Sequence, residues 1–136
     1  MQVYRRHQGF SLIELMIAIV ISAILATVAY PIYATYQARG YRLQAEVVLM
    51  QLAVKAGSYR GIDIKKLENL DGLKRLPYRF QLAQVSDSHF LLQAVPNSVQ
   101  QRRDQACGTL GIADDNNRYA SGSGGVSVCW SGLSQA

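Results

Sequence analysis

Hydrophobic and polar positions divide the chain into three stretches. After a short polar leader, the 24 positions 15–38 hold no charged residue and are bounded by Glu14 and Arg39. At about 1.5 Å per residue this run makes roughly 36 Å of helix, enough to cross a bilayer core of about 30 Å. The plainer reading is the core helix of a soluble domain, but 136 residues leave too little sequence to wrap such a rod. Leu43, Val47, Met50 and Val54 then recur at helical spacing, with Arg42, Gln44, Glu46 and Gln51 between them. The pattern predicts one helix over 10–56, stopped by Gly57, whose second half packs this apolar stripe on a small domain.

Beyond that helix the period falls to two. Tyr78, Phe80 and Leu82 alternate with Arg79, Gln81 and Ala83, and Phe90, Leu92 and Ala94 repeat the pattern after a Ser86-Asp87-Ser88 turn. The pair reads as a hairpin. A third strand is expected over 107–112 and a fourth over 126–130, with turns at 114–117 and 121–125. Residues 61–77 read as a connecting loop with a short helix opening at Asp63. The implied class is α+β: a long N-terminal helix, transmembrane in its first half, laid on an antiparallel sheet of about four strands.

The chemistry concentrates at the entrance to the apolar run, Gln8-Gly9-Phe10-Ser11-Leu12-Ile13-Glu14-Leu15. Secretory signals are cut after their apolar region, which is then discarded. Here the convincing cleavage point, Gly9-Phe10, precedes that region, so the helix would stay on the mature protein. Glu14 lies at the mouth of the run, where an unpaired carboxylate costs several kcal/mol. No lysine or arginine of the helix is placed to neutralise it, whereas cleavage would create an α-amino group on Phe10, one turn away. The bland alternative is a carboxylate resting at the interface. The basic leader, with Arg5 and Arg6, favours a cytoplasmic N-terminus.

Gly-Phe-Ser-Leu-Ile-Glu-Leu-Met resembles the processing motif of type IV pilins and type II secretion pseudopilins. The resemblance implies a leader of residues 1–9, removed by a prepilin peptidase after Gly9, and N-methylation of Phe10. It implies that Glu14 attracts the N-terminal amine of a neighbouring subunit and so sets register in a filament. It divides the chain into that leader, a transmembrane and assembly helix over 10–38, and a periplasmic headpiece over 39–136. Pro31 stands where pilins carry a proline and should kink or locally melt the helix. Many family members have glycine eight residues earlier; here Ala23, a strong helix former, makes unwinding there less secure. Tyr30, Tyr33, Tyr36 and Tyr41 gather where membrane gives way to water, as interfacial anchors or as packing between subunits.

Cys107 and Cys129 are the two cysteines of the chain. With no cysteine–histidine cluster and no base beside a lone thiol, they read as a disulfide joining neighbouring strands in an oxidising compartment. Asp104-Gln105-Ala106-Cys107-Gly108-Thr109-Leu110, with Cys129-Trp130, looks like the disulfide-bounded end of PilE-type minor pilins. No catalytic constellation is legible, and no cofactor or metal set. His89 stands alone on a strand, the Gly122–Gly125 stretch lacks the Lys-Ser/Thr of a phosphate loop, and Asp114 with Asn116 suggests an ordinary turn more than calcium.

Formal net charge is +5. Lys65, Lys66, Lys74, Arg75 and Arg79 concentrate in one stretch, with Arg102 and Arg103 in a polar loop. They read either as a solvated basic face or as a surface that captures DNA. The resemblance therefore points to a non-enzymatic pilus subunit, more a minor than a major pilin. Its partners would be other pilins, the prepilin peptidase, the assembly machinery and the inner membrane. A type II secretion pseudopilin and a DNA-receptor pilin of natural transformation are the competing readings.

Overall fold

The computed structural model describes residues 9–58, 75–86 and 89–130. In order they form α1 (Leu12–Ser58), β1 (Tyr78–Ser86), β2 (His89–Pro96), α2 (Ser98–Arg103), β3 (Leu110–Ala113), β4 (Arg118–Ala120) and α3 (Gly125–Cys129). The expected loop helix opening at Asp63 and the Asp87-Ser88 turn lie outside the described residues. Contacts divide the chain into two compact units, Met1–Ala34 and Thr35–Ala136.

In the first unit α1 is a bare apolar helix. It is long and apolar enough to cross a membrane, and its most apolar window buries nothing. Ser22 and Thr27, within the apolar part of this stretch, donate to the carbonyls of Ala18 and Ile24 at 2.8 and 2.7 Å. Both are thereby satisfied without water, as a hydrocarbon setting demands. Pro31 sits inside α1 with helix on either side, so the local melting expected there is not seen. Nor does Gly40 break the helix.

In the second unit the rest of α1 packs on a four-stranded antiparallel meander of order β1-β2-β3-β4. This is the α+β layout of the pilin fold. Register runs Tyr78↔Pro96, Leu82↔Leu92, Leu92↔Ile112 and Leu110↔Ala120. The core joins Ala45, Leu49 and Leu52 of α1 to Tyr78, Leu92, Ala94, Leu110 and Ile112, and to Cys107, Cys129 and Trp130.

The face of α1 that packs is not the expected one. Leu43, Val47 and Val54 are 46%, 49% and 71% exposed, while Ala38, Arg42, Ala45, Leu49 and Leu52 are buried. The buried row keeps the 4-3-4-3 spacing of a helix stripe but includes a charged residue. Arg42 can enter the core because it meets a carboxylate there, and Ala45 lets the sheet approach closely.

Three further expectations are corrected. The chain turns at Gly108 (φ +61°), so β3 begins at Leu110 rather than at Cys107. Residues 126–130, expected as a strand, are mostly α3, entered through Gly125 at φ +67° and closed by Trp130 N–H donating to Val126 O at 2.9 Å. The fourth strand is instead Arg118–Ala120. Arg102 and Arg103, placed in a loop by the sequence, end α2, whose cap is Asn97: its side chain accepts from Gln100 N–H at 2.9 Å.

Candidate processing and assembly site

Gly9, Phe10 and Ser11 precede α1, and the Leu15 N–H donates to Ser11 O at 3.2 Å to open the helix. Glu14 lies in the first turn, where the unsatisfied amides of a helix N-terminus favour a negative charge. Among the described residues no cation pairs with it. Phe10 is 82% exposed. A Cβ added at Gly9 would meet no atom of the chain within 4 Å. Any requirement for glycine at this position therefore comes from outside the fold, as a peptidase closing on the Gly9–Phe10 bond would impose. Gly9, Phe10 and Glu14 thus share one exposed end, followed by a helix long and apolar enough to span a membrane.

Residues 4–30 match the prokaryotic N-terminal methylation motif. That N-terminal segment is type IV prepilin-like. No curated protein matches its sequence. The motif indicates a structural subunit and implies processing by a peptidase and assembly with other pilin-type subunits, and the long apolar helix that carries it fits membrane anchorage.

In the headpiece Cys107 and Cys129 form a disulfide, with Cα atoms 5.3 Å apart. Neither lies on a strand, contrary to expectation: Cys107 is in the turn after α2 and Cys129 ends α3. His89 is not alone, because its Nδ1 lies 2.7 Å from Asp114 Oδ2. Among the described residues no group of three or more His, Cys, Asp or Glu could hold a metal.

Lys65, Lys66 and Lys74 of the basic set fall outside the described residues. Arg75 and Arg79 are exposed on either side of Pro77, whose carbonyl accepts from Asn97 N–H at 2.9 Å just before α2. Arg102 and Arg103, also exposed, close α2.

A buried polar cluster went unread in the sequence. Arg42 Nη1 donates to Asp104 Oδ1 and Oδ2, both at 2.7 Å, and lies 3.0 Å from Cys107 Sγ. Glu46, 2% exposed, has Oε1 3.8 Å from Arg42 Nε, and neither atom has a hydrogen-bond partner. Burial pushes the Glu46 carboxyl up to about 7; Arg42 and Arg118 oppose the rise and Asp104 adds to it. Beside the cluster Gln100 Nε2 donates to Ala38 O at 2.8 Å and to the Tyr78 hydroxyl at 3.1 Å. Burial raises the Tyr78 phenol to about 12, offset in part by that hydrogen bond. The i, i+4 spacing of Arg42 and Glu46 reads as an ordinary surface pair. Only Asp104, 62 residues away, reveals it as the polar seam between α1 and the sheet.

Proposed function

We propose that this chain is a type IV pilus subunit, a minor pilin, made as a prepilin in the bacterial inner membrane. A prepilin peptidase cuts after Gly9, Phe10 is N-methylated, and the subunit joins the pilus at the cell surface, serving adhesion, motility or DNA uptake. The observation that carries this reading is Gly9-Phe10 set before a helix that bears Glu14 in its first turn and buries none of its most apolar window. Such a helix needs a cover once it leaves lipid, and the apolar helices of other subunits provide one. The exposed Leu43, Val47 and Val54 extend that face into the headpiece. The disulfide-bounded C-terminal region supports pilus over type II secretion pseudopilus.

Mass spectrometry of the membrane-extracted and sheared-pilus fractions tests the proposal. Both should contain a chain beginning at Phe10 and carrying one added methyl group. An intact N-terminus in assembled filaments would overturn it. Correct processing with absence from pili, together with a secretion defect on deletion, would assign the chain to a pseudopilus.

A further inference from the structure

The two sulfurs of the Cys107–Cys129 bond stand in opposite electrostatic surroundings. Arg42 Nη1, a cation, donates to Cys107 Sγ at 3.0 Å. Cys129 Sγ instead lies 3.5 Å from Ala106 O, a carbonyl oxygen that accepts Gly124 N–H at 2.7 Å. A cation steadies negative charge on a neighbouring sulfur, and the negative end of a carbonyl dipole opposes it. Burial does not separate the two, since Cys107 is 1% and Cys129 0% exposed. Charge is therefore better held at Cys107. The Asp104 carboxylate, 2.7 Å from the same Nη1, takes a share of Arg42 and limits the difference. Access points the same way. α3 has 5 residues and ends at Cys129. A helix so short does not hold by itself, and Val126 and Val128 on it are 40% and 54% exposed, so opening it uncovers little apolar surface. Cys107 is held from two sides, its carbonyl accepting Gly122 N–H at 3.0 Å and its sulfur facing Arg42 of α1.

In thiol–disulfide exchange the bond breaks toward the sulfur that leaves more readily as a thiolate. We propose that Cys129 is a site of reversible thiolation, attacked by a small-molecule thiol while Cys107 leaves. A bond forms between the incoming sulfur and Cys129 Sγ, and the Cys107–Cys129 bond breaks. Its electron pair departs on Cys107 as a thiolate paired with Arg42, and the proton given up by the incoming thiol goes to solvent. One disulfide replaces another, so no further oxidant or reductant is consumed. The exchange releases α3 from the staple and leaves Cys107 beside α1. Return attack by the Cys107 thiolate on Cys129 expels the small thiol and closes the bond again. Arg42 is the positioning residue of this exchange, because it decides which sulfur carries the charge.

The test treats the oxidised full chain in detergent with reduced glutathione, quenches with N-ethylmaleimide and maps both groups by mass spectrometry. Trypsin cuts after Arg103 and Arg118 and so puts the two cysteines on different peptides. Glutathione on Cys129 with maleimide on Cys107 should exceed the reverse pattern at least about threefold, since a roughly tenfold difference in thiolate stability is worth that much at a Brønsted slope near 0.5. R42Q should bring the two patterns close to equal. D104N, which leaves Arg42 wholly to the sulfur, should widen the excess. Mere loosening of the fold would move both variants the same way, and protection of the β2 and β3 amides from hydrogen exchange shows that each is folded. Should R42Q lose that protection, D104N and the wild-type pattern decide. Equal labelling in the wild type, or an excess of glutathione on Cys107, would overturn the site. Parallel shifts in R42Q and D104N would overturn the role of Arg42. Thiolation of the denatured chain alone, with none on the folded one, would leave the bond a structural staple and overturn the proposal.

Discussion

Glu14 and Gly122 show how differently single residues disclose their roles. Glu14 is recognisable from sequence because a carboxylate beside a charge-free helix has no reason to be there unless something pairs with it. The structure adds that, among the described residues, no cation pairs with it, as expected of a carboxylate whose partner is on another subunit. Glu14→Val should therefore preserve membrane insertion and cleavage after Gly9, since neither needs the charge, and should sharply reduce recovery in sheared pili. Unchanged incorporation would reduce Glu14 to an interfacial carboxylate. Gly122 is the opposite case. Within its Gly-Ser stretch it reads as one more flexible turn residue, yet a Cβ there would collide with the Ala106 carbonyl. Its amide donates to Cys107 O at 3.0 Å, so the absence of a side chain permits the close approach that packs this turn against the disulfide.

At the scale of elements, long regular segments were legible and short ones were not. The hairpin of β1 and β2, 9 and 8 residues long, gives alternation enough cycles to be recognised. β4 has 3 residues and α3 has 5. In Val126-Ser127-Val128-Cys129 a period of two was present by composition, but the positive φ of Gly125 and the helical closure at Trp130 decided the conformation. The face of α1 departs from its sequence pattern for another reason: apolar stripe and buried stripe differ whenever a buried charge finds a distant partner.

That buried seam makes a pH dependence. Glu46 ionises near 4.5 when unfolded and near 7 when folded, so the folded state holds the extra proton between those values. Its contribution to stability is fully present below about pH 4.5 and is lost as pH rises through about 7. A shift of this size corresponds to on the order of 3 kcal/mol. The full chain in detergent should melt at a higher temperature at pH 5 than at pH 8, once subtraction of the E46Q curve has removed every other titrating group. Glu46→Gln keeps the shape without the charge and should gain most at pH 8. Parallel pH profiles for the two proteins would show that Glu46 does not titrate in this range.

At the scale of the whole molecule, the last third of the chain is made of pieces that could not persist separately. A strand pair of 4 and 3 residues and helices of 6 and 5 lie below the lengths at which either element holds in water. The Cys107–Cys129 bond ties them, joining the turn after α2 to the end of α3 across a separation of 22 residues. Such a closure contributes on the order of 3 kcal/mol. Packing adds to it, for Trp130 is fully buried beside Cys129 and its Nε1 donates to Tyr119 O at 2.9 Å. The pairing was readable from composition, since two cysteines without metal partners have few other uses, but the placement was not. Arg42, 3.0 Å from Cys107 Sγ, connects the same bond to α1, so the staple secures the headpiece to its helix as well as closing a loop. Thiol titration of the full chain under denaturing, non-reducing conditions should find no free thiol. Cys129→Ser should open Cys107 to alkylation and lower the melting temperature by on the order of 10 °C, as a loss of that size implies for a domain of about 100 residues. Two reactive thiols in protein recovered from pili would remove the staple, and with it the argument for an oxidising compartment.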